Sequence, residues 1–256
     1  IMQAVALETN ENEVVLPPPP MQDGLPALES QVKPFPIQVS FPTQDDLPCY
    51  DGMPMETQRH KLQMDLLIDV LHTWLAKRSD GYVNGNMFIY FSAKQVRHQD
   101  FKGPDVFVAL DSSKRERKSW VVWEEDGKTP DVVIELLSDS TRNTDKKDKK
   151  HIYQNKLRVP EYFWYDPFNS KDWAGFALHN GIYEPLTLDD QNRFISKRLG
   201  LAFVLWEGLY MDVKAHWLRC ATLEGSLLPT ALEMAEQKMA RLAKKLRAMG
   251  IDPENC

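Results

Sequence analysis

Apolar positions recur along this chain in two rhythms, and each predicts a different element. From residue 57 to 77, Leu62, Leu66, Leu67, Val70, Leu71, Trp74 and Leu75 return every three or four residues, which predicts a helix with a broad buried face. Short apolar runs predict strands at 87–92, 106–110 and 120–123, separated by turns at 79–85 and 100–104 and a charged loop at 111–118. A further run at 132–137 ends in Ser/Thr/Asp chemistry at 138–144, suited to capping a helix. A lysine-rich helix is expected from 145 to 157, stopped by Pro160, and then a strand at 162–165 ended by Asp166-Pro167. Runs at 173–178 and 181–186 flank Asn180-Gly181, a hairpin signal. Strands at 194–197 and 201–205 are expected to extend the sheet, and 218–225 reads as a turn-rich return. In the last helix, at 229–249, Leu228, Leu232, Ala235, Met239, Leu242, Leu246 and Met249 alternate steps of four and three, the spacing of a seam for a partner helix. The order predicts an α/β core, a mixed central sheet flanked by helices, with added β-hairpins and a C-terminal helix.

One residue breaks the apolar pattern where a break is costly. Glu135 lies inside the 132–137 run, and a carboxylate in a buried strand needs an ion-pair partner or a metal. Ile152, Tyr153 and Leu157 set the inward face of the helix that follows, and at ~100° per residue Lys149 falls near the centre of that face. Lys146 is next closest, whereas Lys147 and Asp148 point outward. A lysine and a buried strand glutamate are thus expected to face one interior. Asp105, after Gly103-Pro104, stands at the entrance to the 106–110 strand, and adjacent strands would bring it to Glu135.

The segments GPDVFVAL (103–110), WEEDGKTPDVVIELLSDST (123–141) and DKKDKKHIYQNKLRVPEYFWYDP (145–167) resemble the bacterial Uma-two family of restriction-endonuclease-like proteins. That family is a branch of the PD-(D/E)xK nuclease superfamily, and the similarity covers roughly residues 53 to 253. The resemblance implies a restriction-endonuclease-like fold and a Mg²⁺-dependent endonuclease acting on DNA, with Mn²⁺ as a substitute. It implies metal ligation by Asp105, Glu135 and the backbone carbonyl of Leu136, with the early-helix acid Glu56 as an accessory ligand. The superfamily's usual lysine, two residues after the glutamate, is replaced by Leu137. The Uma-two pattern places that lysine on the following helix, where Lys149 matches. Helix phasing selects the same residue.

Each candidate has a blander role available. Glu135 and Lys149 could form a neutral pair without metal, and Asp105 or Asp131 could be strand-entry residues. Tyr153 suits core packing or a hydrogen bond to a site carboxylate. For Glu56 and His60, one turn apart on the first helix, solvent exposure is the default. A nuclease fold that no longer cuts, serving as a DNA-binding or protein-interaction module, is the alternative function.

Composition narrows the setting. The 256 residues carry a net charge of −6, so attraction for phosphate has to be local. Two basic clusters are available: the 143–158 helix, and Lys114, Arg115, Arg117 and Lys118. Many of the 17 prolines fall before residue 55, which predicts an extended arm at 1–54, a nuclease-like domain at 55–227 and a C-terminal helical element at 228–256 that offers a homodimer seam. No apolar run reaches the ~18 residues a membrane span needs. Three scattered cysteines, Cys49, Cys220 and Cys256, and the lack of a leader pattern point to a cytoplasmic protein.

Overall fold

Strands β1 (Tyr82–Asn84), β4 (Val106–Ala109), β6 (Val132–Leu136), β7 (Glu161–Tyr165), β8 (Trp173–His179) and β9 (Ile182–Pro185) form a six-stranded sheet in the order β1-β4-β6-β7-β8-β9. The computed structural model describes residues 41–48, 57–92 and 101–252. The centre of the sheet is built from the most apolar runs in the chain, and every residue of β4 and β6 is buried. Within this sheet β6 and β7 run parallel, as the long crossover between them allows. The other neighbours are antiparallel. Asn180 and Gly181 both adopt positive φ between β8 and β9, the turn expected of that pair.

Alternation along the strands sends successive side chains to opposite faces. Val132, Ile134 and Leu136 meet Leu66, Leu67, Val70 and Leu71 of the first helix (Gln58–Leu75), together with Phe203 and Trp217. Val133 faces the other way, toward Phe107, Tyr153, Leu157 and Tyr162. Glu135 is in phase with Val133. It therefore points under the crossover helix, not under the first one.

The crossover opens as the capping pattern predicts, with Ser138 Oγ accepting from Thr141 N at 3.1 Å. Its helix is wider than an ordinary α-helix. Thr144–Lys149 and Tyr153–Leu157 make π-turns, joined by an α-turn at Lys150–Ile152. In an α-helix four residues overshoot a full turn, whereas in a π-turn four residues fall short of one. The mixture keeps Asp145, Lys149, Tyr153 and Leu157, each four apart, on one face. Arg158 in the left-handed region then ends the helix ahead of Pro160.

The remaining strands do not extend the main sheet as expected. Strands β10 (Phe194–Ser196), β11 (Leu201–Tyr210) and β12 (Val213–Ala221) form a separate three-stranded sheet, so the first half of the expected 218–225 return is strand and only 222–225 turns. Gln63 ties this sheet to the first helix through bonds in both directions with the Leu218 backbone, at 2.8 and 2.9 Å. Strands β2 (Ile89–Tyr90), β3 (Phe101–Lys102) and β5 (Trp120–Val121) make a third small sheet. Against it, Leu47 is buried with Phe88, Tyr90 and Val121, so the described end of the proline-rich segment packs on the domain. The rest of that segment, with Glu56, Cys49 and Cys256, lies outside the described residues.

Candidate active site

The pairing of β4 with β6 sets Val106 opposite Ile134, and one step further along this register Asp105 comes opposite Glu135. Polar bonds lock the two together. Leu136 N donates to Asp105 Oδ2 at 2.7 Å, and Asp105 N lies 3.4 Å from Glu135 Oε2. From the crossover helix, Lys149 Nζ reaches Glu135 Oε2 at 3.0 Å, and the Tyr153 hydroxyl donates to Oε1 at 2.7 Å. Asp105, Glu135 and Lys149, far apart in sequence, thus meet at one place.

Access to solvent is uneven. The Glu135 side chain is fully covered, whereas Asp105 and Lys149 keep 20% and 18% of their side-chain surface open. The opening therefore lies on the Asp105 and Lys149 side.

Burial dominates the electrostatics. It raises Glu135 to about 7, opposed by the Lys149 ammonium and reinforced by the Asp105 charge. It raises Asp105 to about 6, opposed by Lys149 and by the Leu136 N–H; the open part of that side chain tempers the desolvation. For Lys149, burial works against the charge, but Glu135, Asp145 and Asp105 together outweigh it and hold the ammonium protonated. Burial, then Glu135, pushes the Tyr153 phenol well above its ordinary value. It acts only as a hydrogen-bond donor.

Two residues join the site that the apolar pattern did not select. His60, expected on an exposed face, is buried. Its Nε2 lies 2.9 Å from the Leu136 carbonyl oxygen and 3.6 Å from Asp105 Oδ1. A carbonyl oxygen only accepts, so Nε2 carries the proton in this arrangement. Asp145 is buried as well, with Oδ1 2.8 Å from Lys149 Nζ, a charge contact without hydrogen-bond alignment. Its signal was present in sequence: a four-residue step from acid to lysine on one helix face.

Asp131 proves structural. It accepts from Leu110 N at 2.7 Å and pairs with Lys128 and Arg198. The second basic cluster is likewise consumed. Arg117 is buried against Glu125 and over the rings of Tyr82 and Trp120, and Arg115 shares the same glutamate. Lys114 caps the carbonyls of Leu75 and Arg78, and Lys118 pairs with Asp45. On the crossover helix, Lys146 pairs with Asp172 and Lys150 lies over the Phe176 ring.

Among the described residues, no three His, Cys, Asp or Glu side chains are grouped to hold a metal ion. A hard divalent cation does not need three. One or two carboxylates with a carbonyl and waters suffice, and the Asp105 carboxylate, the Glu135 carboxylate and the Leu136 carbonyl are all hard oxygens. No described helix is long and apolar enough to cross a membrane.

No curated protein matches this sequence. A solved structure described as "a putative nuclease belonging to DUF820 from Anabaena variabilis ATCC 29413" is similar at 15% identity and a TM-score of 0.39, covering 56% of this chain and 83% of that one. The Uma2 family, described as "Putative restriction endonuclease", matches residues 50–214, well over half of the chain, and the chain belongs to that family.

Proposed function

We propose that this protein is a divalent-metal-dependent endonuclease that hydrolyses phosphodiester bonds of DNA, with Asp105, Glu135 and Lys149 as its catalytic residues. One observation carries the reading: two carboxylates on adjacent strands meet beneath a lysine ammonium, at a point where Asp105 still faces solvent. The two carboxylates outnumber the ammonium that reaches them, and one of the two stays open to solvent.

Asp105, Glu135 and the Leu136 carbonyl would hold Mg²⁺, or Mn²⁺ in its place. Such an ion, when bound, lowers the pKa of a bound water and offsets charge growing on the phosphate oxygens. The chain supplies the rest. Lys149, fixed from two sides, presents a permanent cation to the attacking water or a phosphate oxygen without reorganising during the reaction. Tyr153 holds the Glu135 carboxylate in one orientation. His60 braces the Leu136 carbonyl from the opposite side of the sheet. Glu56 as an accessory ligand lies outside the described residues.

A second reading, a module that binds partners without cutting, is favoured by the last helix (Ala231–Ala248). None of its residues is buried, and Leu232 and Met239 are 65% and 69% exposed. The same stripe would serve a homodimeric nuclease, because paired cuts on duplex DNA suit paired subunits.

Incubating supercoiled plasmid with the protein and Mg²⁺ or Mn²⁺, beside Glu135→Ala and an EDTA control, separates the two. The enzyme reading expects nicking or linearisation that needs the metal and is lost in the variant. Intact plasmid and intact single-stranded DNA with either metal would overturn it.

A further inference from the structure

We propose that Asp145 is a positioning residue of this site: it supplies Lys149 with a counter-ion of its own and so leaves Glu135 free to hold a cation. The inference rests on the nuclease reading and concerns a buried carboxylate, in contact with Lys149, that this reading does not use.

Lys149 Nζ stands between two acids, 2.8 Å from Asp145 Oδ1 and 3.0 Å from Glu135 Oε2. The Asp145 and Glu135 side chains are 1% and 0% exposed, so neither has water to compensate it. A buried charge without a partner is strongly destabilising, as breaking a buried pair is. If Asp145 were absent, the ammonium of Lys149 would be held by Glu135, the carboxylate that has to be free for the ion, and the local charge deficit would fall from two to one. With Asp145 present, one ammonium faces three carboxylates, counting Asp105. With all three ionised, the deficit of two positive charges equals the charge of one divalent cation.

The two acids are also held differently. Asp145 and Lys149 sit four apart on one helix, and that helix turn is anchored by Asp145 N to Thr141 O at 2.8 Å and by the Tyr162 hydroxyl to Asp145 O at 2.9 Å. The Asp145–Lys149 pair is therefore a unit of the helix. Glu135 belongs to the strand, so it can exchange its contact with Lys149 for a contact with an ion while the ammonium stays compensated.

Mn²⁺ titration of the full chain, followed by calorimetry and by the electron paramagnetic resonance of free Mn²⁺, tests this in a double-mutant cycle. Asp145→Asn is expected to weaken Mn²⁺ binding about 10- to 100-fold, the cost typical of losing a residue that orients a metal ligand. In a Lys149→Met background the same substitution is expected to change affinity less than about threefold, because Asp145 acts through Lys149. Asp145→Glu, which keeps the charge, is expected to bind nearly as the parent, and it keeps the test open if the asparagine variant fails to fold. Equal loss in both backgrounds, unchanged affinity in Asp145→Asn, or a glutamate variant as weak as the asparagine one would overturn the proposal. Binding that survives Asp145→Asn yet vanishes in Glu135→Ala would sink this inference alone. A parent protein that binds no Mn²⁺ would sink the nuclease reading with it.

Discussion

Lys149 Nζ lies 3.0 Å from Glu135 Oε2, and the two are joined by the crossover that makes β6 and β7 parallel. The topology thus delivers the base to the acid: the strand carrying Glu135 runs into the helix carrying Lys149. Replacing Lys149 by Met keeps the bulk and removes the charge, leaving Glu135 and Asp145 buried without their cation. The metal-free protein is expected to lose about 3 kcal/mol in urea denaturation at neutral pH. An unchanged midpoint would show that the ammonium contributes nothing to holding these acids.

The pH dependence has a definite sign. Burial raises Glu135 to about 7 and Asp105 to about 6, above their ordinary 4.5 and 3.8. Between those values the folded chain holds protons that the unfolded chain has released. Each acid therefore favours folding at low pH, and the benefit is lost as pH rises through its folded value. Lys149, raised in turn, stays charged across this window and adds no slope. Glu135→Gln removes one of the two acids. Metal-free parent minus variant is expected to fall by on the order of 2 kcal/mol from acid to neutral pH. Urea midpoints at a series of pH values measure it, and a difference that rises with pH would contradict the assignment.

The cluster at residues 114–118 is paired within the fold, and it is expected to add little to phosphate binding. Arg117 has a side chain 1% exposed and two bonds to Glu125, at 2.7 and 2.9 Å. Removing the acid by Glu125→Gln is expected to cost about 3 kcal/mol, because it strands a buried guanidinium. Lys118→Ala, at an exposed ion pair, is expected to leave both stability and DNA affinity unchanged within error. A fall in DNA affinity with Lys118→Ala, read by fluorescence anisotropy, would return that loop to the nucleic-acid interface.

The last helix is held to the domain near its start. The Thr230–Glu233 capping box is tied to Arg219, and Ala231 N bonds to Asp69. Beyond that turn none of its residues is buried among the described residues, and its heptad stripe lies open. A second copy of the helix is expected to supply the cover. The double variant Met239→Lys, Leu242→Lys should shift the protein from dimer to monomer in sedimentation velocity. A parent that already sediments as a monomer at micromolar concentration would contradict the seam.

Much of the site was legible because a carboxylate in a buried strand is chemically conspicuous. Glu135 in its apolar run, and Lys149 phased by Ile152, Tyr153 and Leu157, needed only strand and helix periodicity. What escaped notice depended on context that periodicity does not carry. The four-residue step from Asp145 to Lys149 was visible, but the π-turns that keep both on one face were not, and His60 is buried against Leu136, distant in sequence. The β11–β12 hairpin was missed because its turn, Met211-Asp212, takes positive φ at two residues without a glycine or asparagine to announce it. The four basic residues at 114–118 looked available only because their partners, Glu125, Asp45 and two helix-end carbonyls, lie elsewhere in the chain or on another element.

The central claim is that Asp105, Glu135 and the Leu136 carbonyl hold one divalent cation. A crystal soaked in Mn²⁺ and measured for anomalous scattering tests it directly. The account predicts a peak within bonding distance, about 2.2 Å, of oxygens from all three residues, and none in Glu135→Ala. A crystal that takes up Mn²⁺ elsewhere while Lys149 stays closed on Glu135 would contradict it.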